Sequence, residues 1–328
     1  MTGGAATRAG MVPRTALVGA LLALVAAGLY AAPAQSQPVK GSYLYTLSSF
    51  TGPVRHDFSR LAVDRARSEV YALYQNGIRV FNESGMEVYQ FGEDLDLGLI
   101  ADIAVDDRGD ILLLVYRGSR AAIIRCNYRG EPQSEIALRG VPPEFEDFAP
   151  NRMVSQRGTL YLASTSGLKI VTADREGAVT KGYDLFRLFE LEDKDRGNVE
   201  LGGFSVDREG NMLMTVPVLF RASVLSPDGT MIWFGRPGGA PGKFNIVGGI
   251  VRDSQGNVLV VDRLKGSLLA FDRTFDFLAQ FASSGRKPGQ LIFPDELAID
   301  DRDRLYVTQA GKRGISVFTL THAARRGQ

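Results

Sequence analysis

Short apolar runs alternate with polar, glycine-rich turns along most of the chain, and one arrangement of these runs recurs six times. Each copy has an apolar run ending in a polar residue, then a polar turn and a second apolar run, as in residues 103–106 and 111–114. Runs of this length suit strands better than helices, and glycine suits hairpin turns that need a positive φ. The pattern therefore predicts β-strands joined by tight turns.

The six copies follow one another at a regular period. Their first runs end at Asp64, Asp106, Ser155, Asp207, Asp253 and Asp300. Successive copies are roughly 42–52 residues apart, and a third and a fourth apolar run follow in most of them. Four short strands at this period are typical of a propeller, so we predict an all-β fold with six four-stranded blades.

The two ends of the repeat complement each other. The sixth copy has three strands and stops near Leu320, whereas residues 43–50 form a spare apolar strand ahead of the first copy. Pairing them would remove a sheet edge and join the chain ends. We therefore predict that the N-terminal strand closes the last blade, with the propeller spanning residues 42–320 and a tail at 321–328.

The first 34 residues resemble a secretory signal peptide. Arg8 and Arg14 precede an uncharged apolar run at residues 16–32, and Ala32-Pro33-Ala34 provides a site for cleavage after Ala34. An uncleaved membrane anchor is the alternative, because the apolar run approaches the length of a spanning helix. We expect a linker at residues 35–41 and a periplasmic or secreted protein, associated with a membrane only if the segment is uncleaved.

Residues 248–262 and 294–307 carry a family resemblance. Gly248-Gly-Ile-Val-Arg-Asp-Ser-Gln-Gly-Asn-Val-Leu-Val-Val-Asp262 resembles an NHL repeat, and so does Pro294-Asp-Glu-Leu-Ala-Ile-Asp300 with the strand that follows it. The resemblance extends, with decreasing clarity, to all six copies. It implies a six-bladed propeller with a face that binds a protein or a ligand, and it implies no single activity.

Composition excludes several chemistries. Lys and Arg number 38 and Asp and Glu number 37, so the net charge of +1 gives no reason to expect nucleic acid as a partner. Cys126 is the single cysteine, which excludes an intramolecular disulfide. His56 and His322 are the two histidines, too few for a multi-histidine zinc site within one chain. We expect a monomer without a resident cofactor.

The mouth of the channel is the candidate binding site. Propellers of the gluconolactonase and paraoxonase type hold a divalent metal there through Glu, Asn and Asp, but only Asp295 has a suitable side chain at the matching positions. The next position of each copy supplies Arg60, Asp102, Asn151 and Glu296. We predict that these residues and Asp295 line the mouth, where hydrogen bonding between blades is an alternative role for them.

Two functions follow from this sequence. We favour a non-catalytic scaffold that binds another exported protein, a peptide or a carbohydrate. The alternative is a metal-dependent hydrolase of the gluconolactonase type with an atypical site and a divalent cation in the channel.

Two aromatic segments are candidates for docking a partner. Phe186 and Phe189 lie in the longest interval between copies and could form an apolar stripe on a short helix. Phe145 and Phe148 lie in the loop at residues 140–150. Insertions on a rigid scaffold often carry function, although a helix packed onto the propeller would show the same pattern.

Overall fold

The computed structural model describes Met1, residues 39–54 and residues 57–323. The predicted signal peptide beyond Met1, together with His56 and the end of the predicted tail, lies outside the described residues. Within the described ranges, no helix has the length and apolar character needed to cross a bilayer. Almost all regular structure there is β-strand, apart from helix α1 (Leu185–Leu188) and three short 3-10 turns.

In the described residues, twenty-six strands form six four-stranded antiparallel sheets and one small hairpin. The first three are β1 (Val39–Thr46), β2 (Ser48–Ser49) and β3 (Gly52–Pro53). Blades 1 to 3 comprise β4 (Arg60–Asp64), β5 (Glu69–Tyr74), β6 (Gly77–Phe81), β7 (Glu87–Phe91); β8 (Leu99–Val105), β9 (Ile111–Arg117), β10 (Arg120–Cys126), β11 (Pro132–Ile136); and β12 (Arg152–Gln156), β13 (Thr159–Ser164), β14 (Lys169–Asp174), β15 (Val179–Asp184).

The remaining blades repeat the same order. Blades 4 and 5 comprise β16 (Gly203–Val206), β17 (Met212–Val216), β18 (Arg221–Leu225), β19 (Met231–Phe234); and β20 (Val247–Arg252), β21 (Val258–Asp262), β22 (Ser267–Phe271), β23 (Phe277–Phe281). Blade 6 comprises β24 (Pro294–Ile299), β25 (Arg304–Gln309), β26 (Ile315–His322) and β1. The predicted six-bladed propeller is confirmed.

The N-terminal strand closes blade 6, as predicted. β1 pairs antiparallel with β26, from Val39 opposite His322 to Thr46 opposite Ser316. The rings of Tyr43 and Phe318 meet edge to face with centroids 5.8 Å apart. The strands extend slightly beyond the predicted limits of 42 and 320, because the ladder continues outward to Val39 and His322.

The core consists of apolar layers between neighbouring sheets. Leu112 and Leu114 of blade 2, for example, share one buried cluster with Leu160 and Leu162 of blade 3. Cys126 belongs to the layer between blades 1 and 2, where burial raises the pKa of its thiol to about 12. This environment agrees with a small packed side chain and gives the thiol little nucleophilic character.

The repeated aspartates hold the turns after the inner strands. In blade 4, Asp207 Oδ1 accepts N–H bonds from Glu209 at 3.0 Å and Asn211 at 2.8 Å, while Gly210 has a φ of +86°. A carboxylate that satisfies two turn amides fixes the direction in which the chain enters the second strand. The same arrangement recurs at Asp106, Asp253 and Asp300.

Blade 3 departs from this rule, and the predicted register there is wrong by one residue. Its first two strands are joined by a two-residue turn, Arg157-Gly158, with φ of +49° and +73°, which pairs Gln156 with Thr159. Ser155 therefore pairs with Leu160 as Val105 pairs with Ile111 in blade 2. Gln156, rather than Ser155, takes the place of the aspartate, because the shorter turn moves the inner strand by one position.

We expect Gly158→Ala to lower the stability of the propeller by about 1 kcal/mol, or about 2 °C in melting temperature. The reason is backbone strain alone, since a Cβ at Gly158 would lie 3.6 Å from its nearest neighbour, Arg175. Gly239→Ala is the matched control, because Gly239 has neither a positive φ nor a neighbour within 4 Å. Equal melting temperatures for the two variants would contradict the assigned turn.

Candidate functional site

The inner strands of all six blades surround a central channel. These strands are β4, β8, β12, β16, β20 and β24, and they enclose a cavity of about 340 Å³. All six run in the same direction along the channel, so residues at equivalent positions form rings. We call the ring where the strands begin the entrance ring and the ring where they end the exit ring.

The strand pairing defines the members of the entrance ring. It places Arg60, Asp102, Arg152 and Gly203 at equivalent positions. Gly249 and Glu296 complete the ring, because each directly precedes the residue at which the regular pairing of its inner strand resumes. Arg152 replaces the predicted Asn151 because of the shorter turn in blade 3. Sequence reasoning missed Arg152 because it counted from the first strand, whereas counting back from the second strand across the Arg157-Gly158 turn identifies it.

Asp102 joins blade 2 to blade 3. It is 4 % exposed, and its two oxygens accept N–H bonds from Ile103 at 2.9 Å and from Met153 of β12 at 2.7 Å. Burial raises the pKa of this carboxyl to about 6, although Arg152, Arg60 and the Met153 amide oppose the shift. Oδ2 thus makes the contact between blades, and Oδ1 is bound within blade 2.

Glu296 makes the equivalent connection between blade 6 and blade 1. Its Oε2 lies 2.6 Å from Arg60 Nη1, and its Oε1 accepts the Leu61 N–H at 3.4 Å. Burial alone would lower the pKa of Arg60, but Glu296 and then Asp102 outweigh it and raise that pKa above its usual value. Glu296 is therefore occupied by a guanidinium and a backbone amide.

Glycine at the other ring positions allows the inner strands to touch directly. A Cβ on Gly203 would lie 2.5 Å from the carbonyl oxygen of Gly248, and one on Gly249 would lie 2.5 Å from the nitrogen of Leu297. Real Cβ atoms do not approach that closely, so blades 4, 5 and 6 exclude side chains here. Asp102 and Glu296 thus link neighbouring inner strands through their carboxylates. At Gly203 and Gly249 the backbones of neighbouring inner strands are in direct contact instead.

Arg152 remains as the unpaired charge of the entrance ring. Its Nη1 donates to the carbonyl oxygen of Asn151 at 3.2 Å, and it forms no salt bridge within the part of the chain that the structure describes. Burial lowers its pKa, and the nearby carboxylates of Glu296 and Asp102 offset this only in part. A guanidinium with unused donors thus lies in the lining of the channel.

Two of the predicted mouth residues lie beside the ring. Asn151 is bound to Thr165, donating to its Oγ1 at 2.8 Å and accepting its backbone N–H at 3.0 Å. Asp295 pairs with Arg263. The structure thus brings Arg60, Asp102 and Glu296 together and gives Asn151 and Asp295 local partners. Across residues 39–54 and 57–323, no three His, Cys, Asp or Glu side chains are arranged to hold a metal ion.

The exit ring contains the turn-holding aspartates and a polar contact across the channel. Asp301 of blade 6 pairs with Arg65 of blade 1 at 3.2 Å and with Arg208 of blade 4 at 2.8 Å. Arg65 also donates to Gln156 Oε1 of blade 3 at 2.9 Å. The three charged side chains are exposed and Gln156 is buried, so the contact crosses this end of the channel at the solvent boundary.

The predicted docking residues are mostly covered. Phe189, after helix α1, is 8 % exposed and meets Trp233 edge to face with centroids 4.6 Å apart. Phe145 is 4 % exposed and meets Phe148 at 6.5 Å. Phe186 is partly buried beneath the Arg196 guanidinium, which lies 3.9 Å from its ring centroid. These rings pack against the propeller, and the docking role of their segments stays a prediction.

The fold defines the class of this protein: it is a six-bladed β-propeller with four-stranded blades. No family model matches the chain, and no curated protein does so either. Solved structures of similar fold include a protein of unknown function from Bacteroides thetaiotaomicron, with 16 % identity over 87 % of this chain and 77 % of that one and a TM-score of 0.60.

Two further neighbours are enzymes. A gluconolactonase from Xanthomonas campestris has 13 % identity over 82 % of this chain and 88 % of that one, with a TM-score of 0.54. A streptogramin B lyase has 13 % identity over 86 % of this chain and 97 % of that one, with a TM-score of 0.53. At these identities the likeness shows the fold alone, and the NHL resemblance stays a prediction.

Proposed function

We propose that this chain is an exported, non-catalytic propeller of the NHL type that binds a ligand at the entrance of its central channel. One observation carries the proposal: the carboxylates of the entrance ring already connect the blades. Asp102 accepts two backbone amides, and Glu296 accepts the Arg60 guanidinium and a backbone amide. A hard cation needs several oxygen ligands, and these oxygens are committed to other partners.

The gluconolactonase among the structural neighbours makes the hydrolase the alternative to exclude. For a cation to bind, Glu296 would have to release Arg60, and Asp295 would have to release Arg263. Each release leaves a partly buried guanidinium without its partner, which lowers stability. The same contacts leave Arg152 as the group with capacity for a ligand. The proposed location is the periplasm or the exterior of the cell.

We expect the mature chain, starting at residue 35, to purify without a stoichiometric metal. Calcium, zinc or a chelator should change its melting temperature by less than about 1 °C, because a ligand raises stability only where the native state binds it. The protein should also hydrolyse no lactone above the background rate. Metal analysis, thermal melting and a lactone assay test this.

The proposal would be overturned by one equivalent of bound metal together with a rise in melting temperature of about 5 °C or more. A rise of this size is expected when the metal concentration is about one hundred times its dissociation constant. Chelator-sensitive lactone hydrolysis would do so as well. Glu296→Gln is a useful comparison, because a hydrolase that used this carboxylate would lose both the metal and the rate.

A further inference from the structure

Arg152 has most of its hydrogen-bonding capacity unused. A guanidinium has five N–H donors, and the hydrogen bond described for Arg152 uses one of them, toward Asn151 at 3.2 Å. Arg152 is partly buried, and this partial burial lowers its pKa below the usual value. The side chain is partly exposed and belongs to the lining of the channel, so an anion in the channel can reach its free donors.

Neither neighbouring carboxylate of the ring fills that role. Asp102 uses both oxygens for backbone amides, and Glu296 is held by Arg60. Asp295, the third carboxylate whose charge acts on Arg152, is paired with Arg263. Nearby carboxylates thus act on Arg152 through their charge, while none of them accepts a hydrogen bond from its guanidinium in the part of the chain that the structure describes.

We propose that the channel entrance binds a small monocarboxylic acid, with its carboxylate paired to the guanidinium of Arg152. This inference rests on the proposed function and specifies its ligand. Carboxylates match the planar fork of arginine through two parallel hydrogen bonds. A doubly charged phosphate would fit less well, because Asp102, Asp295 and Glu296 all act on this position and repel a second negative charge.

The channel sets the size of the acid. Its volume of about 340 Å³ lies at the lower end of the range for small-molecule sites. Ile103, Val154 and Leu297 are among the lining residues below the entrance ring. A compact acid with an apolar body therefore suits the site, and benzoate is a suitable probe.

Protonation of Asp102 adds a pH dependence to this binding. The charged groups that act on Asp102 are Arg152, Glu296 and Arg60, and Asp295 acts on the arginines. Below the pKa of Asp102, near 6, its carboxyl is neutral and no longer competes with the acid for the Arg152 charge. Binding of benzoate should therefore be at least about threefold tighter near pH 5 than near pH 8.

Calorimetric titration with benzoate, and with uncharged benzamide, tests the proposal in buffers that contain no carboxylate. Wild-type protein should bind benzoate and ignore benzamide. Arg152→Gln should weaken benzoate binding by at least about tenfold, in line with loss of a charge-assisted pair. Arg79→Gln is the matched control, because Arg79 pairs with Glu87 on the outer strands of blade 1 and should leave the affinity unchanged.

Arg152→Lys keeps the charge but removes the fork, so it tests the same contact if the glutamine variant unfolds; it should bind several times more weakly than wild type. The inference is overturned, with the proposed function intact, if benzamide binds as well as benzoate or if Arg152→Gln and Arg152→Lys retain wild-type affinity. The inference is also overturned if calorimetry detects no heat of binding with benzoate at millimolar concentration. Binding of one equivalent of calcium, in a separate titration with calcium alone, would instead overturn the proposed function.

Discussion

A chain shortened to begin at Leu47 is expected to lose its cooperative fold. The deletion removes β1, which covers one edge of β26 from Ser316 to His322. Phe318 and Leu320 lie in the same buried cluster as Val39, so the deletion exposes apolar side chains as well as unpaired backbone groups. Burial of each such side chain contributes about 1.5–3 kcal/mol to stability. Together these contributions approach the whole free energy of unfolding of an ordinary domain.

Circular dichroism melting and urea titration measure this effect, and a chain beginning at Gln37 is the control because it keeps the complete strand. We expect the control to melt in one transition and the shortened chain to aggregate or to show no transition. If the shortened chain melted within a few degrees of the control, the closing role of β1 would be wrong.

The second large effect is the pH dependence caused by Asp102. Its folded-state pKa of about 6 lies above the ordinary value of 3.8, so its contribution to stability is fully present below pH 3.8 and is lost as the pH rises through 6. The shift corresponds to about 3 kcal/mol in the free energy of unfolding. Wild type loses this amount across the interval, whereas Asp102→Asn, which has no carboxyl at this position to titrate, does not. Asparagine can accept only one of the two N–H bonds, so the variant should start below wild type near pH 4 and approach or pass it by pH 7.

Urea unfolding at several pH values measures the free energy of unfolding of both proteins. The difference between them isolates the effect of Asp102, because groups such as Asp253, whose pKa burial also raises, are present in both. Asp107→Asn, a substitution at an exposed turn position of the same blade, is the control, and its curve should run parallel to wild type. A difference between Asp102→Asn and wild type that stays constant from pH 4 to 7 would contradict the buried, charge-disfavouring environment of Asp102.

The repeat made the fold predictable because every copy carries the same local chemistry. Alternating apolar runs and turn-holding aspartates define blades without any long-range information, and the spare strand at the beginning of the chain complements the missing one at its end. Blade 3 was misaligned because two turn types satisfy the same apolar pattern. The strand pairing of Gln156 with Thr159 decides between them.

The candidate site was less predictable because its contacts join distant parts of the chain. Arg60 and Glu296 stand at opposite ends of the sequence yet form an ion pair at 2.6 Å, since ring closure makes blade 6 the neighbour of blade 1. The alignment of the repeats placed acidic residues at the mouth, but it could not tell whether their oxygens were free or bound to other groups. The amphipathic segment around Phe189 was equally ambiguous, because burial against Trp233 and docking of a partner require the same side chains.

The most direct test of the non-catalytic, metal-free channel is a crystal structure of the mature protein grown with millimolar calcium. We expect Arg60 to remain paired with Glu296, Asp102 to accept the Met153 amide, and no cation to occupy the entrance ring. A calcium ion coordinated by Asp102, Asp295 and Glu296, with Arg60 and Arg263 turned away, would contradict this expectation and establish a metal site in the channel.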